Sequence, residues 1–326
     1  MKKIKINVGA AIITSFLCAG GVGTAQADSA ASARILVGFP AGGNVDLVAR
    51  LIAPDLSKAL GRPVIVDNRP GASGRLAINL ATTSAPDGST FILTPGVALT
   101  LYPHTFTELR YEPFKDLAPV SNAVNWNLGL AVPSSSGIKN FADYVQSIKA
   151  DPNQTFFASS STGSGQHLAG LYLGQTLGVA LEHVGYKGAS EAIVALVGAQ
   201  VPAAVLNIGE LIQQSEAGKI KVLALFDSKR DPLLPDTPSI AELGYPQLEI
   251  NGWLAFYAPA GTQPELVQAA QASIATTLNN AAVKEKLRLA GMQSASSTPE
   301  ELDAKGKKEF EHWQTVIQSL PNFSKF

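Results

Sequence analysis

A short apolar run that stops at a small-residue loop and opens into a helical stretch occurs twice in this chain, and it restricts the fold more than any other feature. Ile35-Leu36-Val37-Gly38-Phe39 ends at Pro40-Ala41-Gly42-Gly43, and residues 45–60 follow with Leu47, Val48, Leu51, Ile52, Leu56 and Leu60 near helical spacing. Residues 155–159 end at a Ser/Thr/Gly loop and lead into a second helix over 164–177. Strands at 63–67, 90–94, 183–186, 201–207 and 221–226 and helices at 73–84, 141–150, 189–198 and 209–217 extend the alternation. Near-continuous apolar strands between helices predict parallel pairing with helices on both faces of the sheet, an α/β architecture. The tail differs: 248–258 reads as extended, and 264–278, 282–290 and 299–320 read as helices. The Lys- and Glu-rich residues 300–311 read as the solvated face of the last helix.

A loop between a strand and a helix places unpaired backbone N–H groups at the positive end of a helix dipole, where an anion is stabilised. One such loop in each half suggests a ligand held between two lobes. Composition agrees with a folded binding or catalytic protein. Hydrophobic residues make up 46% of the 326, charged residues 16%, and 25 Lys and Arg face 26 Asp and Glu. That apolar content excludes disorder, and the lack of a basic block excludes nucleic acid as a partner.

The N-terminus reads as an export leader. Lys2, Lys3 and Lys5 precede an apolar stretch over residues 8–22, and Ala25-Gln26-Ala27 has the small-x-small form of a signal-peptidase site. The stretch is too short and too diluted by Thr14, Ser15 and glycines for a membrane anchor, and Ser15-Phe16-Leu17 before Cys18 is a poor lipidation context. Cleavage after Ala27 removes the only cysteine, so the mature chain has neither a disulfide nor a thiol nucleophile. It leaves 22 basic against 26 acidic side chains.

Catalytic motifs are incomplete or absent in the sequence. Thr162-Gly163-Ser164-Gly165-Gln166 lacks the outer glycines of a nucleophile elbow, no Gly-Lys-Ser/Thr tripeptide occurs, and Leu168 stands where a dinucleotide loop needs a small residue. His104, His167, His183 and His312 show no metal-ligand spacing. No metal and no cofactor are expected. His167, beside the second loop, reads as a structural or ligand-lining group. Asp46, Asp67, Asp87, Asp116 and Asp143 read as caps, turns or helix-start charges, Asp46 at a helix N-terminus. Trp126, Trp253 and Trp313 read as packing residues, with Trp253 in the extended run where the chain is expected to cross between lobes.

The motifs taken together are specific. Pro40-Ala41-Gly42-Gly43-Asn44-Val45-Asp46 with Ala49-Arg50, Asp67-Asn68-Arg69-Pro70-Gly71-Ala72, Ala85-Pro86-Asp87-Gly88 and residues 160–170 lead the set. Tyr186-Lys187-Gly188, Ala217-Gly218-Lys219, Pro235-Asp236-Thr237-Pro238 and Ala258-Pro259-Ala260-Gly261-Thr262 follow in order. In these the chain resembles the Bug, or tripartite tricarboxylate transporter receptor, family of periplasmic solute-binding proteins.

The resemblance implies a two-lobed type II periplasmic-binding-protein fold, each lobe a mixed sheet flanked by helices, joined by two crossing strands. Lobe one would be 28–128 plus 253–326, and lobe two 129–252. The expected ligand is a small organic carboxylate, and the expected partners are membrane transporter subunits of the tripartite tricarboxylate type, served by a monomer in the periplasm. The implied ligand-binding residues are Phe39, Ala41, Gly42, Gly43 and Asp46 on the first loop and Thr94 and Gly96 on the third. Ser160, Thr162, Gly163, Ser164 and His167 are those of the second loop, with Asn207 beyond. Arg75 stands where relatives have Asn in Gly-Asn-Ile-Gly; it can pair with a ligand carboxylate or form a surface salt bridge. Leu206 and Pro202 stand where relatives often carry Asp, and Gly185 where Pro is usual, departures that suit a dicarboxylate, medium-chain or aromatic. A sensor that presents its ligand to a signalling partner fits the same cleft, and a hydrolase using Ser164 and His167 is a further reading.

Overall fold

In the computed structural model, the structure describes residues 32–319 and Lys325; the expected leader, with Cys18 and the Ala27 site, lies outside them. Ten strands form one hydrogen-bonded network in two sections that share a strand. The chain runs β1 (Ala33–Val37), α1 (Asn44–Leu60), β2 (Val64–Asn68), α2 (Arg75–Thr82) and β3 (Thr90–Pro95), then three one-turn helices, α3 (Val97–Thr100), α4 (Tyr102–Thr105) and α5 (Pro113–Asp116). The long β4 (Leu117–Pro133) follows, then α6 (Phe141–Ala150), β5 (Phe156–Ser159), α7 (Gly165–Leu177), β6 (Glu182–Gly185), α8 (Ala189–Val197), β7 (Ala203–Asn207), α9 (Ile208–Glu216) and β8 (Ile220–Leu225). The last elements are β9 (Asn251–Pro259), α10 (Pro264–Asn279), α11 (Ala281–Leu289), β10 (Gln293–Ser294) and α12 (Pro299–Ser319).

The first section is β2-β1-β3-β9-β4, with β10 on β4; β1 pairs in parallel with β2 and β3, and β9 antiparallel with β3 and β4. The second section joins the far end of β4, antiparallel, to β7 and β8, and continues in parallel through β5 to β6. The sheet is therefore mixed. The sequence pattern found β9 as an extended run and the strands between the helices, and missed β4, the long antiparallel strand that joins the two sections.

β4 leaves the first section at Asn127, opposite Asn251 of β9, and enters the second at Leu128, opposite Asn207. Its pairing with β9 shifts register between Pro119 and Ser121 and again between Asn122 and Val124. Each bulge breaks the alternation by which a strand is recognised. The chain crosses back through Ile250, whose N–H donates to Phe226 O, into β9.

Layering follows from side-chain alternation. In β1, Ile35 and Val37 face one core with Val48, Ile52 and Leu56 of α1 and Ile274 of α10. Leu36 faces the other core with Ile78 of α2 and Leu302 of α12. In β7, Ala203 and Val205 face α6 and α7, whereas Ala204 and Leu206 face α8 and α9. A strand apolar on both faces is the sign of helices above and below it. Trp253 and Trp313 are buried in these cores, and Trp126 is half-buried. The expectation of a solvated α12 face needs one correction. Glu309 and Lys305 turn inward, because that turn of the helix lies over Trp253 and Asn125.

Candidate functional site

The loops after β1, β3, β5 and β7 all leave from C-terminal strand ends, the edge at which open α/β sheets build their ligand crevices. Three contacts link them. Val37 lies beside Leu93 in the sheet, which sets the first and third loops side by side. A Cβ placed on Gly165 at the start of α7 would lie 3.6 Å from Val97, so the second loop meets the third. Gln166 donates to Asn207 Oδ1 at 3.0 Å, joining the second loop to the end of β7.

The first loop is braced from behind. Gly42 takes φ +84°, a left-handed conformation that glycine adopts freely. Gly42 N–H donates to Asp46 Oδ2 at 2.9 Å, as does Arg50 Nε at 2.8 Å, while Asn68 Nδ2 donates to Asp46 Oδ1 at 3.0 Å and lies 3.2 Å from Phe39 O. The Arg50 hydrogen bond, with those from Gly42 and Asn68, holds the buried Asp46 carboxyl down at about 2 against the cost of burial. Asp46 thus fixes the loop's shape, with both oxygens turned into it. At the head of α1, Gly43 provides no side-chain cap, so the first-turn N–H groups of the helix are left for a ligand or water. Ala41, Gly42 and Gly43 are exposed there and Phe39 is half-buried.

Behind the first loop lies a turn whose second half, Ser73 and Gly74, falls inside the helix expected over 73–84. Gly71, Ala72, Ser73 and Gly74 all have positive φ (138°, 49°, 55° and 87°), and α2 starts only at Arg75. Left-handed backbone at Ala72 and Ser73 costs roughly 1–2 kcal/mol per residue. It lets Gly74 approach Gly38 and lets the Phe39 ring lie on Gly74. Buried Tyr102 steadies the turn by donating to Ser73 O at 3.3 Å. Arg75 is half-buried; its Nε donates to Ala72 O at 3.0 Å, and its guanidinium lies 3.8 Å over the Phe106 ring and 3.4 Å from Glu108 O. Its head is therefore held by backbone and ring.

The second loop is organised by two imidazoles. Gly163 N–H donates to His167 Nδ1 at 3.0 Å, and His167 stacks on His183 with centroids 3.7 Å apart. His183 Nε2 lies 2.7 Å from Ser159 Oγ. Burial pushes His167 down to about 3, with a smaller contribution from His183, and burial alone pushes His183 down to about 4. Both rings are therefore neutral at pH 7. Ser164 caps α7, accepting from His167 N–H at 3.3 Å, and donates to Ser161 O at 2.7 Å. Thr162 is exposed and Ser160 half-buried. A Cβ on Gly185 would lie 2.5 Å from Thr162 Oγ1, so the glycine at that position makes room for the Thr162 side chain. Asn207 anchors a capping box with Glu210, which burial pushes up to about 7.

On the third loop, Thr94 is buried and Gly96 packs against the Trp253 indole so closely that no Cβ fits between them. Among the described residues no cluster of three or more His, Cys, Asp or Glu is placed to hold a metal. Asn68, Gln166 and His183 were missed in sequence. Asn68 lies in the Asp67–Ala72 motif, where nothing local marks it as a partner of Asp46; His183 reaches the second loop because β6 lies beside β5, with His183 opposite Phe157.

Residues 48–321 match the family model described as "Tripartite tricarboxylate transporter family receptor". Protein BugT of Bordetella pertussis is 30% identical over 316 residues, covering 94% of this chain and 96% of that protein. Two solved structures are similar throughout. MatC of Rhodopseudomonas palustris with bound malate has a TM-score of 0.76 at 28% identity, over 88% of this chain and 98% of that one. Rpa4515 of R. palustris with adipate has a TM-score of 0.80 at 29% identity, over 89% and 97%.

Proposed function

The chain belongs to the tripartite tricarboxylate transporter receptor family, and from that premise we propose that it is a monomeric periplasmic solute-binding receptor for a small dicarboxylate. In this reading the leader is removed after Ala27, and residues 28–128 plus 253–326 close against 129–252 over the ligand. The loaded receptor then delivers it to a membrane transporter of the tripartite tricarboxylate type.

The observation that carries the reading is the uncapped head of α1 beside the exposed Ala41, Gly42 and Gly43, on a loop set next to the one that follows β3. A carboxylate placed there meets backbone N–H groups and a helix dipole, worth about 0.3–1 kcal/mol when exposed and more when closure excludes water. Asp46, fully engaged by Gly42, Arg50 and Asn68, presents its charge to the loop and not to the incoming anion. Across from it, the Ser160 and Thr162 hydroxyls and the Gln166–Asn207 amide pair supply neutral polar groups. Malate in one similar structure and adipate in another support a two-ended acid. Support for binding without catalysis comes from Ser164, whose hydroxyl donates to the Ser161 carbonyl and caps a helix.

Thermal melting against mono-, di- and tricarboxylates, aromatic acids and amino acids tests the reading. A ligand specific to the folded state stabilises by about 2.7 kcal/mol at a hundredfold excess over Kd. Dicarboxylates are expected to raise Tm and to be recovered unchanged. A shift with amino acids alone, or turnover of the acid, would overturn it. Gly43→Val, which crowds the α1 head, is expected to abolish the shift.

A further inference from the structure

α12 carries a carboxylate that the ligand crevice does not use directly. Glu309 accepts from the Trp253 indole N–H of β9, from the Trp313 indole N–H at 3.2 Å, and lies 3.1 Å from Thr100 Oγ1 at the end of α3. Thr100 Oγ1 also lies 3.1 Å from Gly96 O, so one hydroxyl ties Glu309 to the start of the third loop. The Trp253 main chain holds the same loop: its carbonyl accepts from Gly96 N–H at 2.9 Å. Its indole fills the space beside Gly96 that any Cβ would need. Lys305, one turn earlier, sits 4.8 Å over the Trp253 ring and donates to Asn125 Oδ1 at 3.1 Å, so its ammonium also contacts the indole.

We infer that Glu309 is a positioning residue for the ligand crevice: by holding Trp253 and Thr100 together it fixes the third loop from Thr94 to Val97, where that loop meets the second. The inference rests on the carboxylate-binding reading of the crevice. Two indole N–H groups, from β9 and α12, converge on the Glu309 carboxyl together with the Thr100 hydroxyl, whose one proton lies between Glu309 and Gly96 O, and Trp253 and Thr100 bracket Gly96. A half-buried carboxylate is a costly way to fasten a helix that already buries Leu302, Trp313 and Val316. Its geometry is suited to orienting an indole, which presents a single N–H. Val97, the residue that meets Gly165, is the point at which such an adjustment reaches the opposite loop.

Glu309→Gln tests this, since one carboxamide cannot accept from both indoles and Thr100 without turning its NH2 toward a donor. Hydrogen exchange of the ligand-free protein is read at residues 96–101, and adipate binding is measured by calorimetry well below the melting temperature. Exchange at 96–101 is expected to rise at least tenfold while β5 and β7 keep their protection, and adipate affinity is expected to fall at least tenfold. Unchanged protection at 96–101, or lost protection with affinity within twofold of wild type, would overturn the inference. If the Gln variant does not fold, Thr100→Val reads the same two quantities on one of the three bonds. Failure of the wild-type protein to bind any dicarboxylate would remove the receptor reading, and exchange in the variant would still decide whether Glu309 holds the loop.

Discussion

Gly38→Ala isolates the contact on which the first loop depends. A Cβ at position 38 would stand 2.5 Å from Gly74 Cα and 2.9 Å from Gly74 O. Both neighbours are backbone, so no rotamer change relieves the clash. Ordinary van der Waals contact begins near 3.4 Å, so the loop and the 71–74 turn must separate by about 1 Å, and crowding of a packed site costs roughly 1–3 kcal/mol. Gly38 does not have positive φ, so backbone strain contributes nothing to that figure. Gly61→Ala is the matched control, with φ +64° and nothing within 4 Å of the added carbon; it should cost only about 1 kcal/mol through conformation. Urea unfolding at pH 7 gives the stabilities, and calorimetric titration with adipate gives the affinities. Gly38→Ala should lose stability within the stated range and bind at least tenfold more weakly, since a shift of that size moves the α1 head relative to Phe39. Gly61→Ala should keep its affinity. Equal affinity in the two variants would show that the Gly38–Gly74 approach does not shape the crevice.

Two further outcomes follow from titrating groups. Asp46→Asn should lose about 1–2 kcal/mol at pH 7, discounted because Arg50 is half exposed. The folded carboxyl titrates below its unfolded value of 3.8, so this contribution is fully present above that value and disappears as pH falls toward about 2; urea unfolding of both proteins between pH 2 and 7 should show the gap closing, and a constant gap would refute it. His167 and His183 are depressed from 6.5 to about 3 and 4, so the folded state binds fewer protons than the unfolded one between those values and 6.5. Stability should fall on acidification by about 1.4 kcal/mol per pH unit for each neutral ring, and a His167→Gln, His183→Gln variant should flatten the slope measured by urea unfolding from pH 7 to 4.5.

What could be read from the sequence divides along physical lines. Gly42-Gly43 followed by a periodic apolar helix announces a strand–loop–helix unit, because backbone conformation and periodicity are both local. The 17-residue β4 announces nothing, since Pro119, three asparagines and Gly129 interrupt it and two bulges cancel its alternation. Ser73 reads as helical because propensity does not register a left-handed turn that brings Gly74 against Gly38, a residue distant in sequence. Asp46 stands in the first turn of a helix, as its place in the sequence implies, but the direction of its carboxylate depends on Asn68, which arrives from β2. Glu309 was hidden for a related reason: a charge in a Lys/Glu-rich helix reads as solvated until the fold lays two tryptophans against it.

The placement of β9 beside β3 governs the order in which the chain can mature. β3 meets β9 through Ile92–Tyr257 and Leu93–Phe256, so its second edge stays open until residues near the C-terminus have been synthesised. β4 must likewise wait for β9 before its first half is held on both sides. An N-terminal fragment ending before residue 251 therefore has unpaired strand edges and no means of closing its first sheet, the condition in which polypeptides stay unfolded or aggregate. Compaction is deferred to the end of synthesis, a delay that fits the export across a membrane proposed above.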